Sequence, residues 1–371
     1  MVKIKNILWS AGLMAATTVG AGMFSLPYVF QKAGWFTGFF YLVVLAGFVI
    51  VAHNLYWETL EKFGEKKRLL GLVKIYFGKI PYRLSLVVVL GGLTLALVIY
   101  LIIVERFMGL IFPALGSWGP VIFWIVASLP ILLKLTRFVF SELLGGILML
   151  LVILTIFLTT SDFLKIFSLA PTVDFQNLFL PFGALIFSLT GWTAVEPIFE
   201  YERKSARDSS RGRSAMTLGT TLAALFYLAF TVAVFGSGAT ITVDTISGLL
   251  GWPFWKITAV VLLGLFAIWT SYVPIGLEIK NSLEKDLGWP SALGTAFVFF
   301  VPPALVLLGV RDFLKILGLA GGVFLGLQYL LIILVSRRAL PMTARKRAVV
   351  NLLAFVFAAA AVYEVYYFVL Q

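Results

Sequence analysis

The sequence contains no cysteine and a single histidine, His53. Without thiols there is no disulfide framework, no thiolate metal centre and no thiol nucleophile, and the redox compartment stays undetermined. No Gly-rich loop runs into Lys-Ser or Lys-Thr, which argues against an ATP-driven pump. A carboxylate cluster, a His-rich metal motif and a nucleophile paired with a base are missing too, so a membrane enzyme has no visible chemistry. Charge is scarce: 12% of the 371 residues are Asp, Glu, Lys or Arg, whereas 61% are hydrophobic. Soluble globular domains do not have that balance, and a bilayer is the natural solvent for such a chain.

What is present is a succession of apolar runs. A spanning helix needs about 20 apolar residues, and eleven such runs fall at roughly 7–31, 36–60, 84–112, 119–133, 138–160, 177–201, 215–236, 254–279, 291–309, 313–336 and 348–369. The first lacks a small-residue cleavage pattern and carries Gly-Ala-Gly and Pro in its middle, so it reads as part of the mature chain rather than a secretory signal. The fold class expected is an all-α polytopic membrane protein forming one domain, residues 1–371.

The net charge of +12 would suit nucleic acid, but the cations follow the loops instead of one soluble face. All except Lys32, Arg106, Lys165, Lys256, Arg311 and Lys315 fall at the N-terminus or in the even-numbered turns. The positive-inside rule then predicts a chain integral to the cell membrane, with a cytoplasmic N-terminus and an external C-terminus. Its expected partners are membrane lipid and a small molecule, not nucleic acid. In the cytoplasmic segment 62–83, the patch Leu69, Leu70, Leu72, Val73, Ile75, Tyr76 and Phe77 predicts a helix lying along the inner surface. Segment 203–213 is basic and serine-rich; both segments read as anchors on anionic lipid or as parts of a gate.

Two spans are interrupted in a similar way. One holds Val19-Gly20-Ala21-Gly22-Met23-Phe24-Ser25-Leu26-Pro27, the other Ser188-Leu189-Thr190-Gly191-Trp192-Thr193-Ala194-Val195-Glu196-Pro197. Glycine costs about 1 kcal/mol and proline about 3 inside a helix, so such pairings mark backbone that gives up its hydrogen bonds easily. Ordinary kinking explains one such span, but matching breaks opening two halves indicate repeats over 7–160 and 177–336, with 348–369 as an additional helix. Five spans per repeat make the second inverted relative to the first, an organisation in which the breaks locate a binding site. The similar stretches Asp162–Ile166 and Asp312–Ile316 do not obey that register and read as two surface helices.

Thr18-Val19-Gly20-Ala21-Gly22-Met23-Phe24-Ser25-Leu26-Pro27 resembles the first-helix motif of the amino acid, polyamine and organocation transporter superfamily. Thr270-Ser271-Tyr272-Val273-Pro274-Ile275-Gly276-Leu277 and Val301-Pro302-Pro303-Ala304-Leu305 are similar to spans eight and nine of its aromatic and hydroxy amino acid permeases. The resemblance covers nearly the whole chain. It implies the five-plus-five inverted repeat of the bacterial leucine transporter, with helices 1 and 6 discontinuous. It also implies secondary active, ion-coupled symport of neutral amino acids, aromatic ones among them, by alternating access. The alternatives are a proton-coupled or exchange-type permease, and a non-transporting sensor or channel on the same fold.

A zwitterion in a membrane needs partners for both charges, and unwound helix ends supply them without buried side-chain charge. The carboxylate is expected at Gly20, Ala21 and Gly22, beside Thr18. The ammonium is expected near carbonyls around Ala16, Val19, Phe187, Ser188 and Thr190, next to Gly191, with Phe187 or Trp192 covering the side chain or simply packing. Leu93, Leu97, Tyr100, Phe266 and Phe324 are further candidate liners. The resemblance also implies a sodium site built from Ala16, Val19, Ala267, Thr270 and Ser271, although a Thr-Ser pair often bonds back to its own helix. A second sodium site of some relatives is not expected, because Met23 stands where an asparagine amide is needed. With no other cofactor expected, coupling falls to sodium or protons. For protons the suspects are Glu196 and His53, since ionisable groups inside a membrane are functional by default. His53 also reads as a satisfied packing residue, Glu105 as a partner of Arg106, and Glu58 and Glu61 as reaching inner water.

Overall fold

The computed structural model describes residues 2–63, 68–116, 118–132, 139–158, 160, 162–204 and 209–370. Of the loop cations, Lys66, Lys67, Lys134, Arg137 and Arg207 lie outside the described residues, as do the side chains of Lys3, Lys5 and Lys204. No strand occurs among the described residues.

Among the described residues sixteen α-helices follow one another: α1 (Val2–Thr18), α2 (Leu26–Ala33), α3 (Trp35–Phe63), α4 (Leu69–Phe77), α5 (Lys79–Ile111), α6 (Trp118–Leu132), α7 (Val139–Phe157), α8 (Lys165–Leu169), α9 (Leu180–Leu189), α10 (Val195–Lys204), α11 (Ser209–Gly236), α12 (Phe254–Lys285), α13 (Ser291–Leu307), α14 (Phe313–Gly318), α15 (Gly326–Ala339) and α16 (Ala344–Leu370). Among the described residues seven helical stretches are long and apolar enough to cross a membrane, and the pair Ile7–Thr18 and Ala21–Ala33, bent by 50° at its break, makes an eighth. Three shorter apolar helices, Trp118–Leu132, Leu144–Phe157 and Ser291–Leu307, accompany them.

Both glycine-proline stretches depart from α-helical geometry. α1 stops at Thr18, Gly20 is extended (φ −137°, ψ −162°), and a tight 3-10 turn over Ala21–Ser25 leads into α2, with Pro27 at its second position. Proline suits a first turn, where its missing N–H would have no helical partner. In the other stretch α9 stops at Leu189, Thr190 is extended, and a 3-10 turn over Trp192–Ala194 leads into α10. This second break interrupts the hydrogen bonding, yet Leu180–Arg203 still reads as one apolar stretch. A third irregularity, absent from the sequence reading, is a π-helical segment over Leu319–Leu325 joining α14 to α15.

The core lies where these interruptions meet. α1 packs on α11 and α7, α12 on α5 and α7, and α9 on α3, α2 and the π-segment. Close approach is bought by small residues: a Cβ at Gly219 on α11 would lie 2.6 Å from the Ala11 carbonyl oxygen and 2.5 Å from Met14 Cβ on α1. The first amides of α3 are satisfied by the loop ahead of α9, since Trp35 N–H donates to Pro171 O (2.9 Å) and Phe36 N–H to Thr172 O (3.2 Å).

Three expectations are corrected. The patch at Leu69–Phe77 forms α4, but it is not one continuous outward face: Leu69, Leu70, Leu72 and Val73 are buried where α4 packs on α5 and α15, and Ile75 is exposed. An apolar face beside two apolar helices gains from packing on protein just as it would from membrane. Glu105 pairs with Arg311 (3.7 Å), not with its neighbour Arg106, which faces Asp244 (3.5 Å). Adjacent helical residues point about 100° apart and cannot share a partner side by side. Finally, Asp312–Ile316 opens the α14–α15 stretch, its Asp312 side chain accepting from Lys315 N–H, with Phe313 and Ile316 buried.

Overpacking a tight contact costs about 1–3 kcal/mol. Gly219→Val is therefore expected to lower the thermal unfolding temperature of the detergent-solubilised protein, because it pries α1 from α11. Gly47→Val, at an exposed position with open space around it, is expected to leave it unchanged, with fluorescence-detected unfolding as the readout.

Candidate functional site

A cavity of about 430 Å³ begins at the two breaks and runs along α12 towards Glu278, Lys280, Asn281 and Glu284. Thr18, Gly20 and Gly22 from the first break and Phe187, Ser188 and Thr190 from the second line it, together with Leu93 and Tyr100 of α5 and Ser271 of α12. Of the expected substrate residues, Ala21, Gly191 and Trp192 are not on its wall. Ala21 is fully buried, Gly191 N–H points to the Tyr329 hydroxyl (3.4 Å), and Trp192 Nε1–H donates to Gln328 Oε1 (2.8 Å). Trp192 is thus fixed in packing, which leaves Phe187 as the aromatic at the breaks. Of the other candidate liners, Leu97 is fully buried and Phe266 is exposed on the outside of α12; Phe324 packs on Gly91.

Gly22 is where the two breaks touch. A Cβ there would meet Ser188 Oγ at 2.5 Å and Phe187 Cδ1 at 2.8 Å, so any larger residue would push the breaks apart. The hydroxyl of Tyr227, on α11, ties them from behind, at 2.5 Å from Thr18 O and 2.6 Å from Ser188 O. One phenolic proton serves one carbonyl at a time, so the hydroxyl is shared between the last turn of α1 and that of α9. Sequence reasoning missed Tyr227. Its signal was faint, a lone tyrosine in an apolar run, whose hydroxyl needs a partner once buried.

His53 is fully buried with both ring nitrogens engaged, Nδ1 with Thr220 Oγ1 (3.1 Å) and Nε2 with the Tyr329 hydroxyl (3.0 Å). Tyr329 also reaches Leu189 O (3.5 Å), so His53 supports the second break through Tyr329 and does not reach the cavity. Glu196, at the head of α10, accepts from Tyr56 Oη–H and from Leu69 N–H (3.1 Å) and pairs with Arg68 Nε (3.2 Å). Arg68 also pairs with Glu278 through Nη2. Burial opposes charge on Arg68, but Glu278 and Glu196 outweigh it and raise its pKa, so the guanidinium stays ionised. Arg68 therefore bridges α10 and α12 at the cavity's polar end. The sequence offered only a loop cation; the signal was Glu196 itself, since a carboxylate in an apolar helix requires a partner.

The five expected sodium ligands are divided. Ser271 lines the cavity, while Ala16, Val19, Ala267 and Thr270 are buried behind it. Thr270 Oγ1 donates to Ala267 O (2.8 Å) and Ser271 Oγ to the same carbonyl (3.2 Å). α7 fits between these elements through adjacent glycines, Gly145 against Thr270 and Gly146 against Ala16. Among the described residues no group of three or more His, Cys, Asp or Glu is placed to hold a metal ion.

At the opposite end the bundle is closed. Phe24 packs edge-on against Phe107 (5.5 Å) and Phe230 (5.7 Å). Thr245 holds a left-handed backbone (φ 57°) while its Oγ1 donates to Phe24 O (2.5 Å). A non-glycine residue held there costs about 1–3 kcal/mol, so this closure is over-determined by its surroundings.

Residues 3–363 match the model of the tryptophan/tyrosine permease family. The chain belongs to that family. The permease is thus an integral membrane transporter and not an enzyme. Among solved structures it is similar to MhsT in complex with L-phenylalanine, at 13% identity and a TM-score of 0.69, covering 96% of this chain and 97% of that one. It is also similar to the manganese transporter of Eremococcus coleocola, at 12% identity and a TM-score of 0.64, covering 97% of this chain and 87% of that one. These likenesses show that the permease shares their leucine-transporter fold. Comparison with curated proteins finds no match.

Removing the hydroxyl that ties the breaks strands a buried carbonyl, at a cost of about 1–3 kcal/mol. Tyr227→Phe is expected to raise amide hydrogen exchange about five- to a hundredfold at residues 19–22 and 188–191, read by mass spectrometry, with the ends of α5 and α12 unaffected.

Proposed function

We propose that this permease is a secondary active transporter of aromatic amino acids, which bind between the two helix breaks and are carried by alternating access. The observation that carries this reading is the 430 Å³ cavity walled by Gly20, Gly22, Phe187, Ser188 and Thr190, a volume suited to one bulky amino acid. The substrate carboxylate lies at the head of the 3-10 turn Ala21–Ser25, where amide groups and the positive end of α2 attract it. The ammonium lies near the carbonyl end of α9, and the aromatic ring against Phe187, Leu93 and Tyr100. Among the described residues the cations on the cavity wall, Arg68 and Lys280, lie at its polar end and not at the breaks, which disfavours an acidic substrate side chain. The family name and the phenylalanine bound by the similar MhsT support the same class.

Counted as spans, the apolar stretches give eleven, arranged as two inverted repeats of five and an additional α16. The N-terminus is cytoplasmic, so the cavity points inward, Arg68 bridges its inner mouth to Glu196 and Glu278, and the Phe24 closure is the outer gate. Sodium remains a candidate coupling ion through Ser271, Thr270 and the carbonyls of Ala16, Val19 and Ala267. Proton coupling is the second reading, favoured because both hydroxyls turn back onto the Ala267 carbonyl.

The test is tryptophan, tyrosine and phenylalanine uptake into proteoliposomes under separately imposed sodium and proton gradients, with lysine and glutamate as controls. Aromatic amino acids are expected to accumulate under one of the gradients, and Gly22→Val to abolish both binding and uptake while the protein still inserts and elutes as a single species. Normal affinity in Gly22→Val would remove the proposed site, and the absence of uptake under either gradient would remove ion-coupled transport.

A further inference from the structure

Most carboxylates in the apolar helices have a cation beside them: Glu196 and Glu278 share Arg68, Glu58 meets Arg213 and Lys346, and Glu105 meets Arg311. Glu364 differs. It lies inside the apolar stretch Ala344–Tyr366, is 5% exposed, and forms no ion pair among the described residues. Its carboxylate lies against the α9 backbone at Gly183. The side chain fits because two glycines make room, as a Cβ at Gly183 would lie 2.7 Å from its Oε1 and one at Gly322 would overlap its Cγ. α16 thus places an acid against α9 and the π-segment, both of which also carry residues of the substrate cavity, Phe187 and Leu325.

Glu364 is also reached by a separate cavity of about 170 Å³, whose rim residues Gln176, Asp312 and Lys315 are exposed. This cavity lies at the Arg311–Glu105 end of the bundle, opposite Arg68. The groups facing Glu364 there are Asp312 and Lys315 ahead of and on α14, and Tyr363 beside it on α16; Asp174 sits behind Asn177, whose Nδ2–H donates to it (3.2 Å). α9 and the π-segment present glycines and apolar groups only.

Resting on the transport reading above, we infer that Glu364 is the proton-binding residue that couples a proton gradient to substrate movement. Water in the smaller cavity delivers a proton to the carboxylate, giving the neutral acid when α9, the π-segment and α16 close over it. A lone buried carboxylate is costly in an apolar bundle, so closure and proton uptake occur together. Because Phe187 follows Gly183 by one helical turn, a shift of α9 against α16 moves the substrate wall and the acid at once. Deprotonation on the far side of the cycle returns the carboxylate. His53 and Glu196 are less suited: the first has both nitrogens occupied and the second is held by Arg68.

The test uses the full chain in proteoliposomes. Wild-type protein is expected to accumulate tryptophan at least tenfold under an inward proton gradient, Glu364→Gln to fall to the level seen without a gradient, and Glu364→Asp to recover part of the accumulation. Dicyclohexylcarbodiimide, which reacts with protonated carboxyls in apolar surroundings, is expected to label the wild-type peptide containing Glu364 at low pH and not at high pH, a readout that does not depend on a variant folding. Gradient-driven accumulation by Glu364→Gln, or no labelling of Glu364 at any pH, would overturn the assignment. Wild-type uptake driven by sodium alone would overturn it too, while leaving the transport reading intact; no uptake under any gradient would instead overturn that reading.

Discussion

Two short stretches of backbone, around Gly20 and Gly191, abandon helical hydrogen bonding in the middle of an apolar bundle, and the rest of the structure is arranged to make that tolerable. Each freed N–H or C=O in such surroundings costs several kcal/mol unless a partner is found. Tyr227 serves Thr18 O and Ser188 O with one hydroxyl, Tyr329 serves Leu189 O and Gly191 N–H, and His53 orients Tyr329. α11 and α15 therefore act as a frame around the breaks, and on the proposed function the amides and carbonyls facing the cavity remain for a zwitterion.

This frame was the least legible part of the sequence. The breaks themselves could be read, because Gly20, Gly22, Pro27, Gly191 and Pro197 carry their conformational cost in their identity. So could the apolar stretches and most of the cavity wall at the breaks. Tyr227, Tyr329 and Gln328 could not: in an apolar run a tyrosine or glutamine fixes no direction, and its partners lie 39 to 276 residues away. Trp192 could be read two ways, as a cover for substrate or as packing, and its indole N–H is engaged by Gln328.

Charge told a similar story at a different scale. The loop cations were read collectively, as a bias between two faces, and that treatment hid Arg68 among them. Its side chain returns from the loop to join Glu196 and Glu278, turning two costly carboxylates into a bridge between α10 and α12. Glu364 escaped for the opposite reason, sitting in the helix counted as an addition to the repeats. That helix nonetheless touches α9 and the π-segment, where Glu364 packs on Gly183 and Gly322.

The central claim is that the breaks enclose the substrate. Because the chain has no cysteine, a single thiol introduced at the cavity wall reports on it without background. In Thr190→Cys protein reconstituted into vesicles, saturating tryptophan is expected to slow modification by a small thiol reagent about tenfold, while lysine has no effect. A modification rate unchanged by saturating tryptophan, in protein that still binds it, would place the substrate elsewhere.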